Sequence, residues 1–223
     1  MNILTATADG SFTLYNETIG EHYHSKHGAL QESKHVFIEA GLKKVFTDYP
    51  EQNINILEVG FGTGLNYILS RSFAESIQRN FNYTGIEAFP LSLAELQSTQ
   101  YQQYVAEPLW NKFEQDYQQS ISHPAEINTP EYLQIAHTTL QEFTSRFKYD
   151  LIYFDAFSVQ HQPELWSDEI ITKVCTFLKP GGIFVTYAIT GKLKRALKSC
   201  GMEIEKLPGA PGKREMLRAR KLI

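Results

Sequence analysis

Glu58-Val59-Gly60-Phe61-Gly62-Thr63-Gly64 closes an apolar run that begins at Ile54 and opens a helix-compatible stretch from Leu65. The run is of strand length, and glycines at alternate positions allow positive φ and close approach of a ligand to the backbone over a strand end. The spacing discriminates between ligands. A dinucleotide-binding turn sets its third glycine three residues after the second, to seat a pyrophosphate on the helix N-terminus. Here the third follows two residues after the second, at Gly64. The turn suits a nucleoside without a pyrophosphate, and Glu58 would offer a carboxylate to a cationic ligand. S-adenosylmethionine has both properties, so Glu58, Gly60, Phe61, Gly62 and Gly64 are candidate cofactor contacts. An ordinary tight strand-to-helix turn would read the same way, and the weight must come from the rest of the chain.

Outward from the loop, strand-length apolar runs alternate with helical patterns, as in βαβ units of a parallel sheet. Strands are expected at 54–59, 83–87, 132–136, 150–154 and 183–187. Helices are expected at about 65–77, 91–104, 163–178 and 192–199, with a short one between the third and fourth strands, through Phe147. Lys179-Pro180-Gly181-Gly182 marks a turn before the fifth strand. Two closing strands, near 202–207 and 215–220, are joined by Pro208-Gly209-Ala210-Pro211-Gly212. So short a connection favours an antiparallel pair. The expected fold class is α/β: a Rossmann-like, mainly parallel seven-stranded sheet with an antiparallel C-terminal hairpin, as in Class I methyltransferases. Residues 1–50 read as an N-terminal extension, a small hairpin after Asp9-Gly10 and a helix at about 31–48, with 51–223 as the main domain. Residues 107–130, with Trp110 and the loop around His123-Pro124, are expected as an insertion near the cofactor or substrate.

Ligands of open α/β sheets gather beyond the carboxyl ends of the strands. Glu87 ends the second strand, where an acid can accept from both ribose hydroxyls. Asp155 ends the fourth, after Ile152-Tyr153-Phe154, and would face the same crevice. An amine must be neutral to attack a methyl group, and a carboxylate there can orient it and take its proton. Phe157, Trp166 and Tyr187 could wall a flat base or a sulfonium, or simply pack in the core. In Glu21-His22-Tyr23-His24-Ser25-Lys26-His27, His22 and His24 share one strand face, but no third ligand is spaced to make a metal site. Tyr23 and His24 read better as part of a substrate or cofactor lid.

The chain carries 42% apolar and 13% aromatic residues over 223 positions, enough to bury a sizeable core. Met1 to Gly10 lacks the character of a signal peptide, and no apolar run reaches membrane-spanning length. A cytoplasmic location is expected. Cys175 and Cys200 form neither a CxxC nor a disulfide framework. The net charge of -4 is unevenly placed, because residues 191–223 hold 10 of the 21 Lys and Arg but only 3 of the 25 Asp and Glu. That tail is either a phosphate-binding face or a solvated one. No Ser/His/Asp order or Walker loop supports a hydrolase or NTPase.

The segments DGSFTL (from Asp9), GEHYHSKHGALQESKHVF (Gly20), ILEVGFGTGLN (Ile56), IEAFPL (Ile86), LIYFDAFSVQHQPELW (Leu151), LKPGGIFVTYAITGKLKRAL (Leu178) and PGKREML (Pro211) resemble the methyltransferase domain of MnmC-type tRNA 5-methylaminomethyl-2-thiouridine biosynthesis proteins. The resemblance implies S-adenosyl-L-methionine as cofactor and tRNA as partner. The implied reaction is methylation of the aminomethyl group of 5-aminomethyl-2-thiouridine at the wobble position. It places Glu58, Gly60, Gly62, Gly64 and Glu87 in the cofactor site and Asp155 against the amine. Tyr23, His24, Phe157, Tyr187, Lys213 and Arg214 are the candidate substrate contacts, and no metal is implied. Val159 stands where the family usually has Pro. Ala136-His137-Thr138-Thr139 lacks the acid that often holds the adenine amino group, so Thr138 or a backbone group is expected in its place. The FAD-dependent oxidase domain of the bifunctional proteins has no counterpart here, so a separate enzyme is expected to supply the aminomethyl intermediate. A methyltransferase for a small-molecule amine or another RNA, and a non-catalytic S-adenosylmethionine-binding module, remain as alternatives.

Overall fold

The computed structural model describes residues 1–122, 127 and 129–222. The His123-Pro124 loop, expected near the site, lies outside the described residues. The N-terminal segment forms three antiparallel strands, β1 (Asn2–Ala6), β2 (Phe12–Asn16) and β3 (Glu21–His22), so the expected hairpin gains a third strand. A continuous helical stretch follows, made of α1 (Ala29–Ser33), a π-helical segment (Lys34–Leu42) and α2 (Lys43–Asp48).

The main sheet contains β4 (Ile54–Val59), β5 (Phe81–Ile86), β6 (Ile121–Ser122), β7 (Gln134–Ala136), β8 (Tyr149–Phe154), β9 (Leu178–Thr186), β10 (Met202–Pro208) and β11 (Glu215–Lys221). Their order is β10-β11-β9-β8-β4-β5-β7-β6. The strands from β9 to β6 pair in parallel, and β11 is antiparallel to both β9 and β10. The two-residue β6 adds an eighth strand to the seven expected. From β4 the chain builds outward on one side and then returns to place β8 on the other. The point where the connections part is therefore β4/β8, where a ligand crevice is expected.

Alternation along each strand feeds two cores. Ile54 and Ile56 face the layer of α2, α3 (Leu65–Ser76) and α5 (Glu107–Ser120), whereas Leu57 and Val59 face that of α6 (Asp168–Phe177) and α7 (Gly191–Ser199). The 29–48 helical stretch shares the first core through Phe37, Leu42 and Val45.

Three helix expectations need correction. Residues 137–148 contain turns rather than a helix, with Thr139 Oγ1 accepting from Glu142 N at 3.3 Å. The expected 163–178 helix is a 3-10 turn at Pro163–Trp166 followed by α6, because Ser167 leaves helical geometry and caps Ile170 N. The expected 91–104 helix is α4 (Leu93–Ser98), with a capping box between Ser92 and Glu95, and a separate 3-10 turn at Tyr101–Tyr104.

Candidate functional site

Gly60, Gly62 and Gly64 all take positive φ, at 85°, 51° and 73°. A Cβ on Gly60 would lie 2.6 Å from the Asp155 carbonyl, and one on Gly62 would lie 2.9 Å from the Tyr23 ring. The glycines thus let the loop pass between the end of β8 and the N-terminal extension. Gly60 N and Phe61 N both donate to Ile86 O at 3.1 Å, which ties the turn to the end of β5.

Two cavities open where β4, β5 and β8 end, and they share Tyr23, His24, Asp155, Ala156 and Phe157. The loop-side cavity, about 450 Å³, is lined by the glycine turn, Glu87, Thr138, Glu142 and Glu164 among others. Among the described residues its lining includes four carboxylates and no Lys or Arg. Such a cavity suits a cationic ligand and disfavours a phosphate. The N-terminal cavity, about 720 Å³, is lined instead by His22, Lys26, His27, His161 and Lys213 together with Glu21 and Glu32.

Asp155 stands between them. Asn66 Nδ2 donates to its Oδ2 at 2.8 Å, while its Oδ1 accepts no hydrogen bond from the described residues. Burial, and next the charge of Glu32, push its pKa up from 3.8 to about 8, although the Asn66 bond and Lys213 act the other way. Glu87 accepts from Gly62 N at 2.9 Å and from Phe89 N at 3.0 Å, and burial raises its pKa. Tyr23 packs edge-on to Phe157 with centroids 5.0 Å apart, and burial raises its hydroxyl to about 12. Tyr187 donates to Ala156 O at 2.9 Å, beneath Lys213 Nζ, which lies 3.8 Å from its ring centroid. Lys213 also pairs with buried Glu32 at 2.5 Å.

Glu58, Trp166 and Arg214 fall outside both cavities, whereas Phe61 and His24 border them with their side chains engaged by other residues. Glu58 is 1% exposed and does not line either cavity. It points under the loop, accepts from Asn66 Nδ2 at 2.8 Å and Tyr83 OH at 2.7 Å, and burial holds its pKa well above the carboxylate range. Phe61 borders the loop-side cavity, but its ring is turned into the core and stacked on Tyr117 at 6.1 Å, so α5 supports the loop. His24 lines both cavities, but its Nε2 shares a 2.7 Å bond with Thr63 Oγ1, and burial lowers its pKa to about 4, so it is neutral. Trp166 is buried against Phe154 and lines neither cavity; its Nε1 donates to Phe157 O at 2.7 Å. Arg214 is exposed and outside both.

Glu142, which the sequence did not single out, lies beside Thr138 in the loop-side cavity, with Thr138 Oγ1 3.5 Å from its Oε2. The pattern Thr139-x-x-Glu142 was the available signal, since a hydroxyl that caps the third residue on turns the chain there. Among the described residues no group of three His, Cys, Asp or Glu is placed to hold a metal ion. Nor is any helix among them long and apolar enough to cross a membrane.

The bifunctional protein MnmC of tRNA 5-methylaminomethyl-2-thiouridine biosynthesis from Acidovorax sp. (strain JS42) is 28% identical in an alignment of 220 positions that covers 93% of this chain and 34% of that protein. Its counterpart from Acinetobacter baylyi is 27% identical, over 95% of this chain and 36% of that protein. The chain spans about a third of the length of the curated relatives it matches. Among solved structures, MNMC2 from Aquifex aeolicus superposes with a TM-score of 0.74 at 22% identity, over 98% of this chain and 70% of that one. Streptomyces venezuelae DesVI superposes with a TM-score of 0.51 at 12% identity, over 86% of this chain and 92% of that one. The fold is thus that of Class I methyltransferases. Residues 99–222, from the turn after α4 through the Asp155 strand and the closing hairpin, match the model of a family described as S-adenosyl-L-methionine-dependent methyltransferase, and the chain belongs to that family.

Proposed function

We propose that the protein methylates the aminomethyl group of 5-aminomethyl-2-thiouridine at the wobble position of tRNA. The observation that carries the reading is the pair of unlike cavities meeting at Asp155, one lined by carboxylates without a Lys or Arg and one that sets Lys26 and Lys213 among its carboxylates. The loop-side cavity has a volume suited to a nucleoside-sized ligand. Glu87 would accept from ribose hydroxyls, with Gly60 and Gly62 giving the ligand a close path along the backbone, while Gly64, whose Cβ would meet the Phe61 and Phe113 rings, closes the turn on the core side. Thr138 and Glu142 stand where an adenine amino group would be received, and Asp155 faces the cationic end. When bound there, S-adenosyl-L-methionine supplies an electrophilic methyl group, released from its sulfonium as the amine nitrogen forms the new N–C bond.

The chain's own part is positioning and proton transfer. Asp155 Oδ1 accepts from the amine arriving through the N-terminal cavity and takes up the proton displaced by methylation. An affinity for protons raised to about 8 suits it to that exchange near neutral pH. Tyr23, Phe157 and Tyr187 offer aromatic faces for the base, and His24 keeps the wall neutral. Residues 1–50 act as an extension that supplies Tyr23, His24 and Glu32 to a methyltransferase domain at 51–223.

A tRNA substrate is supported by the distribution of cations. Of the C-terminal set, Lys213, Arg218 and Arg220 are paired with Glu32, Glu205 and Asp48, and Lys221 donates to Cys175 O and Leu178 O. Lys192, Arg195 and Lys198 remain exposed on one face of α7, opposite buried Leu193, Ala196 and Leu197. That helix starts just beyond Tyr187, at the rim of the N-terminal cavity. Arg214, exposed on the β10–β11 connection, would be a further phosphate contact. The substrate would be made beforehand by a separate amine-generating enzyme in the cytoplasm.

Methyl transfer followed over a salt series tests this against a small-molecule amine. With tRNA, kcat/KM should fall steeply as salt rises, because phosphate contacts release counterions. A rate independent of salt would point to a small amine instead.

A further inference from the structure

Asn66, the second residue of α3, is 2% exposed and joins two carboxyl groups. Its Nδ2 lies 2.8 Å from Glu58 Oε1 and 2.8 Å from Asp155 Oδ2, and its Oδ1 accepts no hydrogen bond from the described residues. Both amide protons are thus spent on carboxyl oxygens. Turning the amide over would set its carbonyl against those oxygens, so the two acids fix its orientation. Glu58 is fixed in turn by Tyr83, whose hydroxyl donates to Oε2 at 2.7 Å. The chain Tyr83, Glu58, Asn66, Asp155 therefore runs from the core to the junction of the two cavities.

We infer that Asn66 and Glu58 are positioning residues for Asp155: the Asn66 amide, held by Glu58, fixes one carboxyl oxygen of Asp155 and leaves the other to the amine. The purpose assigned to that oxygen rests on the proposed methyl transfer, whereas the support itself does not. Glu58 thereby acts beneath the loop rather than on the cofactor's charge. Other groups also face Asp155: Glu32 from α1, Glu21 from β3, Lys213 from the β10–β11 connection, Tyr187 beyond β9 and Tyr83 from β5. Only Asn66 donates a hydrogen bond to its side chain among the described residues. A donor to the charged form favours ionisation, so its loss must make Asp155 hold its proton more tightly.

The test is a carboxyl-carbon NMR titration of Asp155 in the ligand-free protein, assigned with Asp155→Asn. Binding of S-adenosylhomocysteine is measured on the same samples. Asn66→Ala should raise the Asp155 midpoint by about half a pH unit or more. Asn66→Ser, too short to span both carboxyls, should do the same if the alanine variant folds poorly. Glu58→Gln keeps an acceptor for Asn66 and should move the midpoint no higher. Affinity for S-adenosylhomocysteine should stay within about twofold in all three, while methyl transfer by the Asn66 variants falls about tenfold in kcat. An unmoved midpoint in both Asn66 variants, or loss of S-adenosylhomocysteine affinity together with it, would overturn the inference. A raised midpoint in a protein that methylates no tRNA would uphold the positioning role and sink the proposed substrate.

Discussion

Asp155→Asn removes a titrating proton while keeping the shape of the side chain and its acceptor for Asn66. In the folded protein the carboxyl group's pKa rises from 3.8 to about 8, chiefly through burial. The folded state therefore holds the proton more tightly than the unfolded chain. For a raised carboxyl group the cost to stability is absent below about pH 4, grows as pH rises through the window to about pH 8, and is level above it. At about 1.4 kcal/mol per unit, the whole shift corresponds to roughly 6 kcal/mol. Asp155 is partly exposed. Water and side-chain adjustment relieve some of the cost, so we expect the variant to gain roughly 2–3 kcal/mol at pH 8. For a chain of this length that is a Tm increase of about 4–12 °C. Thermal denaturation of the ligand-free proteins at pH 5, 7 and 9 measures it. The gap between variant and wild type should widen from pH 5 to 8 and then stop growing, while methyl transfer is lost. A gap of constant size, or a variant less stable than wild type at pH 9, would refute the burial of an ionisable Asp155.

Glu87→Ala should weaken S-adenosylhomocysteine binding about 10- to 100-fold in calorimetry, through loss of the ribose acceptor and of the clamp on Gly62 N. Gly62→Ala forces a side chain to φ 51° with its Cβ 2.9 Å from the Tyr23 ring. It should cost about 1–2 kcal/mol, read as a Tm lower by about 2–8 °C, and should also reduce cofactor affinity. Replacing Lys192, Arg195 and Lys198 together by alanine should leave S-adenosylhomocysteine binding intact and flatten the plot of log affinity for tRNA against log salt, by about one unit of slope for each phosphate no longer neutralised.

The sequence made the central layout legible because its signals were local. Glycine at alternate positions after a strand, Glu87 and Asp155 at the ends of apolar runs, and the Pro/Gly connection between the last strands each depend on a few neighbouring residues. What escaped depends on contacts between distant elements. Strand alternation sets Glu58 on the face of Ile54 and Ile56, but only the arrival of Tyr83 and Asn66 shows that the carboxylate is enclosed beneath the loop. Trp166 reads like a stacking platform until Phe154 covers it. His24 reads like a lid residue until Thr63 holds it. Glu142 was hidden by a helix expectation for residues whose actual path is a turn.

In the proposed reaction an amine of tRNA meets the methyl donor at Asp155. Its most direct test is nucleoside analysis after incubating the protein with labelled S-adenosyl-L-methionine and tRNA carrying 5-aminomethyl-2-thiouridine. The expected product is labelled 5-methylaminomethyl-2-thiouridine with the wild-type protein and none with Asp155→Ala. A labelled nucleoside of another identity, no labelled nucleoside at all, or equal yield from the Asp155→Ala variant would contradict the proposal.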